Sequence, residues 1–140
     1  MADSNILKKT GAALSAYLTS AGVTANLYTG EGNDDKALPC VSCIGLSSET
    51  ITGLEFTGNR SVRAQVEVRS LAADDAGEHA ALVQQVGDAL NITTLADSLS
   101  TALSGYTCLG AIPTGEEQDT DGDAWLHVFN LDLWGCCSDL

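Results

Sequence analysis

The sequence predicts an α+β fold in a single domain over residues 1–140. We expect a mixed sheet of about five strands, with an N-terminal helix and two central helices packed on it. The chain has 140 residues and 44% hydrophobic content, which suits one core. Three segments carry apolar residues at helical spacing and five others read as strands. This mixed order favours helices packed on a sheet.

The first helix is predicted over residues 4–21, because apolar residues recur there at helical spacing and Gly22 follows where helices commonly end. Alternation of apolar and polar residues predicts a strand over 23–28. A second strand is predicted over 40–46, since Pro39 is tolerated at the start of a strand. The segment between these strands carries glycine and acids, so we expect an exposed loop.

The clearest alternation in the chain predicts a strand over 59–70. Its valines and Ala64 point one way, whereas its arginines, Gln65 and Glu67 point the other way. One face should therefore lie in the core, and the other should meet water or a partner.

Two helices are predicted next, over 74–90 and 94–104. Asp74 and Asp75 supply capping groups and a charge that suits the start of the first of them. Its inner stripe is predicted to be Ala76, Ala80, Val83 and Leu90. The second helix should turn its leucines inward and end at Gly105.

Two further strands are predicted over 106–112 and 124–134. The last one is apolar on both faces around Trp125 to Phe129, which indicates a central place in the sheet. Between these strands, residues 114–123 are expected to form a mobile acidic loop, because five carboxylates lie within nine residues and repel one another.

The charge of the chain is divided unevenly along its length. All six lysines and arginines lie at or before Arg69, while the acids continue to Asp139, and the net charge is −13. Such a surface repels phosphate backbones and anionic lipid, so nucleic-acid binding and membrane binding are not expected. A subunit with this asymmetry suits head-to-tail contacts with copies of itself, which close into rings or extend as filaments. The alternative, which composition alone favours, is an acidic surface that only keeps a monomer soluble.

Catalytic groups are scarce, and we expect neither an enzyme nor a cofactor. The two histidines, His79 and His127, lie on a predicted helix and in an apolar strand, where each reads as a surface or core residue. The chain has no nucleophile elbow, phosphate-binding loop or dinucleotide fingerprint. The arginines of the 59–70 strand could bind an anion, but pairing with the acids of a neighbouring subunit needs no ligand.

The five cysteines are expected to be reduced thiols of a cytosolic protein, because the N-terminus carries no secretory signal. Cys40 and Cys43 have the spacing of half a zinc site, and Cys136 with Cys137 could complete it. In an alternating strand, however, Cys40 and Cys43 point to opposite faces. Buried structural thiols are therefore favoured over zinc or redox roles.

The segment Asp119-Thr-Asp121-Gly-Asp123 is similar to the start of a calcium loop, since oxygen ligands at alternate positions suit that ion. Its glycine falls at the fourth loop position instead of the sixth. The twelfth position is Asn130, where a bidentate glutamate belongs. A solvated acidic loop is favoured, and a calcium-binding module remains an alternative function.

The layout resembles the tail terminator proteins of long-tailed bacteriophages and the related tail-completion, or tail-to-head joining, proteins. The resemblance spans about residues 5–134. It rests on the N-terminal helix, the Leu38-Pro39 entry to a strand, the Arg60 to Arg69 strand, the helix start at Asp74-Asp75-Ala76 with a short helix after it, and the closing apolar strand.

This resemblance implies a virion protein of the tail or neck, assembled in the host cytoplasm as a ring, typically of six subunits. The ring would cap the tail tube, end its polymerisation and join it to the head connector. Its partners would be its own copies, the tail tube protein and the head–tail connector proteins. A head-closure or other minor protein of the neck is the alternative within this class.

The charge pattern assigns candidate surfaces within such a ring. The expected subunit interface comprises Arg60, Arg63, Arg69, Asp74 and Asp75, with Arg63 and Arg69 on an exposed face. DNA should pass through an acidic lumen without specific binding, because a basic lining would retain it. The expected lumen or connector-facing loop comprises Glu116, Glu117, Asp119, Asp121 and Asp123.

Overall fold

The computed structural model describes residues 6–29, 39–50, 60–71, 76–121 and 124–138, and it confirms the α+β class. The helices are α1 (Ile6–Ser20), α2 (Ala76–Leu90) and α3 (Leu95–Ala102). The strands are β1 (Asn26–Thr29), β2 (Cys40–Thr50), β3 (Arg60–Leu71), β4 (Tyr106–Thr107), β5 (Gly110–Asp121) and β6 (Ala124–Ser138). One six-stranded mixed sheet contains all of these strands, where about five were expected.

The longest strand, β6, lies at the centre of the sheet. It pairs antiparallel with β3 on one side, and with β4 and β5 on the other. Beyond β3 the sheet continues with β2, which is antiparallel, and then with β1, which is parallel to β2. The apolar composition of 124–134 suits this place, since a central strand is covered by neighbours.

The helices pack on one face of the sheet and enclose the core. Alternation along β3 puts its valines and Ala64 on this face, and each is buried. They meet buried side chains from two helices and from β6, namely Leu14, Leu18, Val86, Leu90, Leu131 and Leu133. Arg63, Gln65 and Glu67 alternate onto the opposite face.

Helix α1 approaches β2 at two glycines. A Cβ atom built on Gly45 would overlap the backbone of Leu7, and one built on Gly11 would lie 2.8 Å from the carbonyl oxygen of Cys43. No larger residue fits at either place without moving backbone. The helix ends at Gly22, where φ is +88° and the amide of Val23 donates to the Leu18 carbonyl over 3.2 Å.

The buried stripe of α2 differs from the predicted one. Its buried residues are His79, Leu82, Val86 and Leu90, whereas Ala80 is exposed and Val83 is half-buried. The spacing is helical in both cases, but the stripe is shifted around the axis. The sequence argument favoured alanine and valine over histidine, while the structure gives His79 a polar partner on β3.

The acidic segment is a strand, so the prediction of a loop over 114–123 is wrong. Gly110–Asp121 pairs with β6 from Trp134 back to Ala124, with one irregularity between Pro113 and Gly115. The pairing satisfies backbone groups that a loop would leave to water. The carboxylates of Glu116, Glu117 and Asp119 are exposed, so water screens their repulsion.

The remaining bounds differ from prediction by a few residues. The strand expected over 106–112 is divided at Cys108 and Leu109 into β4 and the start of β5, and β6 runs on to Ser138. Strand β2 extends past 46 to Thr50 through an irregularity between Gly45 and Ser47. Asp74, Asp75 and Asp123 lie outside the described residues.

Candidate subunit interface

The three arginines of β3 have different surroundings. Arg63 is exposed, and its Nε lies 3.8 Å from Oδ1 of Asp132, its partner across the β3–β6 pairing. Arg69 keeps only 13% of its side chain exposed and lies 3.5 Å from Glu67. Arg60 is half-buried and donates to the Ser48 hydroxyl over 3.4 Å. The prediction that Arg69 lies on an exposed face is therefore wrong, and Arg63 is the arginine that presents its charge to solvent.

An apolar surface that the sequence reading missed lies at the start of β5. We call it the apolar rim; it comprises Ile92, Leu109, Ile112 and Trp134, whose exposed fractions are 37%, 66%, 51% and 46%. With the α2–α3 connection it borders a groove of about 470 Å³. The sequence does carry a signal for this surface. Between Tyr106 and Ile112, apolar residues occupy both odd and even positions, so a strand there cannot bury all of them on one face.

The conformation of Trp134 depends on Gly110, its partner in the β5–β6 pairing. The indole lies over this glycine, and any Cβ built there would overlap the ring. Leu109 approaches Gly135, which has a φ of +66°. Two glycines thus position two side chains of the apolar rim.

The edge of β5 continues from this rim into its acidic half. Within the described part of the chain β5 pairs only with β6, so its other side presents backbone N–H and C=O groups. Glu116, Glu117 and Asp119 follow along this edge and are exposed. An unpaired strand edge beside apolar side chains is a surface that a second chain can extend.

The opposite edge of the sheet has another character. In the described ranges β1 pairs only with β2. Thr29 of β1 and Lys8 of α1 line one groove of about 350 Å³. Lys8 is exposed. A positive charge therefore lies by the groove between α1 and β2, near the end of β1, whereas the described charged residues of β5 are all acids.

The two histidines lie near each other beneath α2. His79 Nδ1 is 2.9 Å from the Ser70 hydroxyl, and the imidazole stacks on Trp125 with ring centroids 6.0 Å apart. His127 Nε2 is 2.7 Å from a carboxylate oxygen of Glu116, and its Nδ1 is 2.8 Å from Oε1 of Gln118. Burial lowers the pKa of His79, so this ring is neutral at pH 7.

The Ser70–His79 pair lacks the arrangement of a nucleophile with its base. Within the described ranges, Nε2 of His79 is buried and finds no hydrogen-bond partner. A base that activates serine is held by a third group on its other nitrogen. A cavity of about 490 Å³ adjoins the pair, yet Ser70 is itself buried. The pair therefore joins α2 to β3 through one buried hydrogen bond.

The cysteines fall into separate environments. Cys43 belongs to the core, where burial raises its pKa to about 12, while Cys40 pairs with Arg69 and so lies on the other face of β2. Cys108 and Cys136 lie together, with their sulfur atoms 3.8 Å apart. Among the described residues no group of three or more histidine, cysteine or acidic side chains is arranged to hold a metal.

A comparison with protein-family models gives no match, and neither does a comparison with curated proteins. Among solved structures, the chain is similar to a chain in the virion of a native gene transfer agent (GTA) particle. The TM-score is 0.55 and the identity 17%, over 99% of this chain and 92% of that chain. This likeness shows a shared fold over almost the whole length.

The described helices include none that is long and apolar enough to span a bilayer.

Proposed function

We propose that the chain is a virion structural protein of a phage or phage-like particle. The observation that carries this proposal is the fold shared with a chain of a GTA virion over 99% of this chain. At 17% identity the likeness gives the fold alone, so the role is inferred.

Within this class we propose a tail terminator, a ring that caps the tail tube, ends its polymerisation and joins it to the head connector. The order of elements in the sequence supports this choice. A tail-completion protein of the neck is the alternative, and it would use the same kind of ring.

The ring is proposed to form between opposite edges of the sheet. The apolar rim and the β5 edge of one subunit would meet the β1 edge of the next, with Lys8 near Glu117 and Asp119. This contact is heterologous, and contacts of this kind close a ring when the rotation between neighbouring subunits returns to the first subunit. Burial of the rim supplies the free energy, whereas the charges set orientation and partner.

This arrangement replaces the interface expected from the arginines. Arg69 is mostly buried beside Glu67, and Arg63 faces Asp132 of its own chain. Arg63 therefore contributes at most a surface ion pair, worth about 1 kcal/mol or less. The acids of β5 that do not meet Lys8 would line the DNA path, where like charge keeps DNA from binding.

The test is the mass of the assembled protein under native conditions. The double variant Leu109→Asp with Ile112→Asp should fold yet remain a monomer, because both side chains are more than half exposed and the change places charge in the apolar rim. The matched control is Thr101→Asp, an exposed position on α3 outside the groove. It should assemble like the parent chain.

A second pair of variants tests the charge arrangement. Lys8→Glu alone should weaken assembly, and Lys8→Glu combined with Glu117→Lys and Asp119→Lys should restore part of it. Assembly that is unaffected by the rim variants and by Lys8→Glu would contradict the edge-to-edge ring. A parent chain that stays monomeric at all concentrations and does not associate with tail tubes would contradict the terminator role.

A further inference from the structure

Two buried thiols face each other across neighbouring strands. Sγ of Cys136 lies 3.8 Å from Sγ of Cys108, and the two residues are 0% and 3% exposed. Cys108 lies in the break between β4 and β5, and the pairings on both sides of it, Thr107 with Cys137 and Gly110 with Trp134, keep one register that sets Cys108 opposite Cys136. Their proximity is thus imposed by strand register and does not depend on a flexible loop.

The pairing geometry suits a covalent bond between them. Opposed residues of antiparallel strands have Cα atoms about 4.5–5.5 Å apart, which lies within the range of about 4.4–6.8 Å found for disulfides. The sulfur atoms need to approach by less than about 2 Å to reach a bonding distance of about 2.05 Å. Side-chain rotation can supply this movement without displacing backbone.

A hydroxyl pair adjoins the thiols and favours reaction at one of them. The Tyr106 hydroxyl donates to Sγ of Cys136 over 3.5 Å and also lies 3.0 Å from the Thr10 hydroxyl. The hydrogen bond with Cys108 lowers the pKa of Cys136, while the same contact raises the pKa of Cys108. Cys136 is therefore the sulfur that becomes a thiolate first.

We propose that Cys108 and Cys136 form a latent disulfide site, with both thiols reduced in the cytosol and joined by a small disulfide oxidant, such as glutathione disulfide, once the protein is in an oxidising medium. A virion protein meets first a reducing and then an oxidising environment, since it is assembled inside a cell and acts after release. The chemistry itself requires only the single folded chain.

The reaction is thiol–disulfide exchange in two steps. The Cys136 thiolate attacks one sulfur of the oxidant, the S–S bond of the oxidant breaks, and one glutathione leaves as a thiolate. Cys108 then loses its proton to solvent and attacks Sγ of Cys136, which displaces the second glutathione. The protein gives up two electrons and two protons, and the oxidant becomes two thiols.

The site opens by a small rearrangement. Strand β4 has two residues, and its pairing with β6 is limited to Tyr106 with Ser138 and Thr107 with Cys137. Release of this short pairing would give the oxidant access to Cys136, as expected for a two-residue pairing of low local stability. The resulting bond would close the β5–β6 hairpin at its base and hold Leu109 and Trp134 of the apolar rim in place.

The test exposes the folded full-length chain to glutathione disulfide without denaturant. Intact mass should fall by two hydrogens with no retained glutathione, two of the five thiols should disappear, and peptide mapping should join Cys108 to Cys136. The bond encloses residues separated by 28 positions, so the folding equilibrium constant should rise on the order of several hundred-fold.

Three serine variants locate the bond. Cys108→Ser and Cys136→Ser should each abolish the thermal shift on oxidation, whereas Cys137→Ser, at the neighbouring half-buried thiol, should keep it. A stable glutathione adduct, a bond that includes Cys40, Cys43 or Cys137, or no reaction over days would overturn the proposal. If a serine variant fails to fold, peptide mapping of the oxidised parent chain still distinguishes these outcomes.

Discussion

The seam between α1 and β2 and the outer edge of β5 belong to one sheet but have opposite properties. At the seam, Gly11 and Gly45 let the helix backbone approach β2 so closely that a single methyl group does not fit. At the β5 edge, Gly115 has open space around it and the apolar rim faces solvent. The seam is therefore where an added methyl group should cost stability, and the edge is the surface that we propose for association.

Charge follows the same division. Lys8 lies at the seam side of the molecule, while β5 carries Glu116, Glu117 and Asp119. Lys8 thus lies toward one end of the sheet, and the acids of β5 lie at the other. This separation in space is more specific than the separation along the sequence, because it assigns the charges to two edges that can meet.

The largest contrast is expected for two leucines truncated to alanine. Leu14→Ala should lower the free energy of unfolding by about 2–5 kcal/mol, since Leu14 is fully buried at the helix–sheet core. Leu109→Ala should leave it within about 0.5 kcal/mol while reducing assembly, because most of that side chain faces solvent. Urea unfolding measures the first effect and sedimentation the second. Equal losses of stability would break the comparison.

An intermediate contrast is expected for two glycines. Gly45→Ala should cost about 1–3 kcal/mol, because its Cβ would displace the backbone at Leu7. Gly115→Ala is the matched control and should change stability by no more than about 0.5 kcal/mol. Thermal unfolding of both variants against the parent chain gives the difference. A harmless Gly45→Ala would mean that α1 does not approach β2 as described.

The smallest effect is expected from pH. Burial lowers the pKa of His79, so the unfolded chain takes up this proton at a higher pH than the folded chain does. The free energy of unfolding should therefore fall as the pH drops through about 6.5, by at most about 1.4 kcal/mol per pH unit. His79→Gln should remove this component, measured as the difference between parent and variant at pH 7.5 and 5.5. If the free energy of unfolding depends on pH equally in the parent and the variant, His79 lies in a solvated environment.

Much of the fold is readable from the sequence because its elements are locally consistent. The alternation in β3, the glycine stop of α1 and the apolar composition of β6 each reflect a periodicity that a core imposes. The acidic segment was misread because repulsion between neighbouring carboxylates is a local argument. Pairing of its backbone with β6 outweighs that repulsion, which water screens at an exposed edge.

The candidate surfaces were less accessible to sequence reasoning. Arg63 and Arg69 lie on the same face of β3, so the alternation of the strand predicts the same exposure for both. The structure separates them, because Arg69 is largely buried beside Glu67 while Arg63 stays in solvent. The alternation within the strand does not record this difference in burial.

The sequence by itself determined the class of the fold, the order of its elements and the uneven division of charge, since these follow from local periodicity and composition. Tertiary structure alone decided that Ile92, Leu109, Ile112 and Trp134 form one rim, that Lys8 lies near the end of β1, and that Cys108 faces Cys136. The physical reason is register: once β6 pairs with β3, β4 and β5, residues separated by tens of positions come into contact. Only the paired strands fix which side chains share a face.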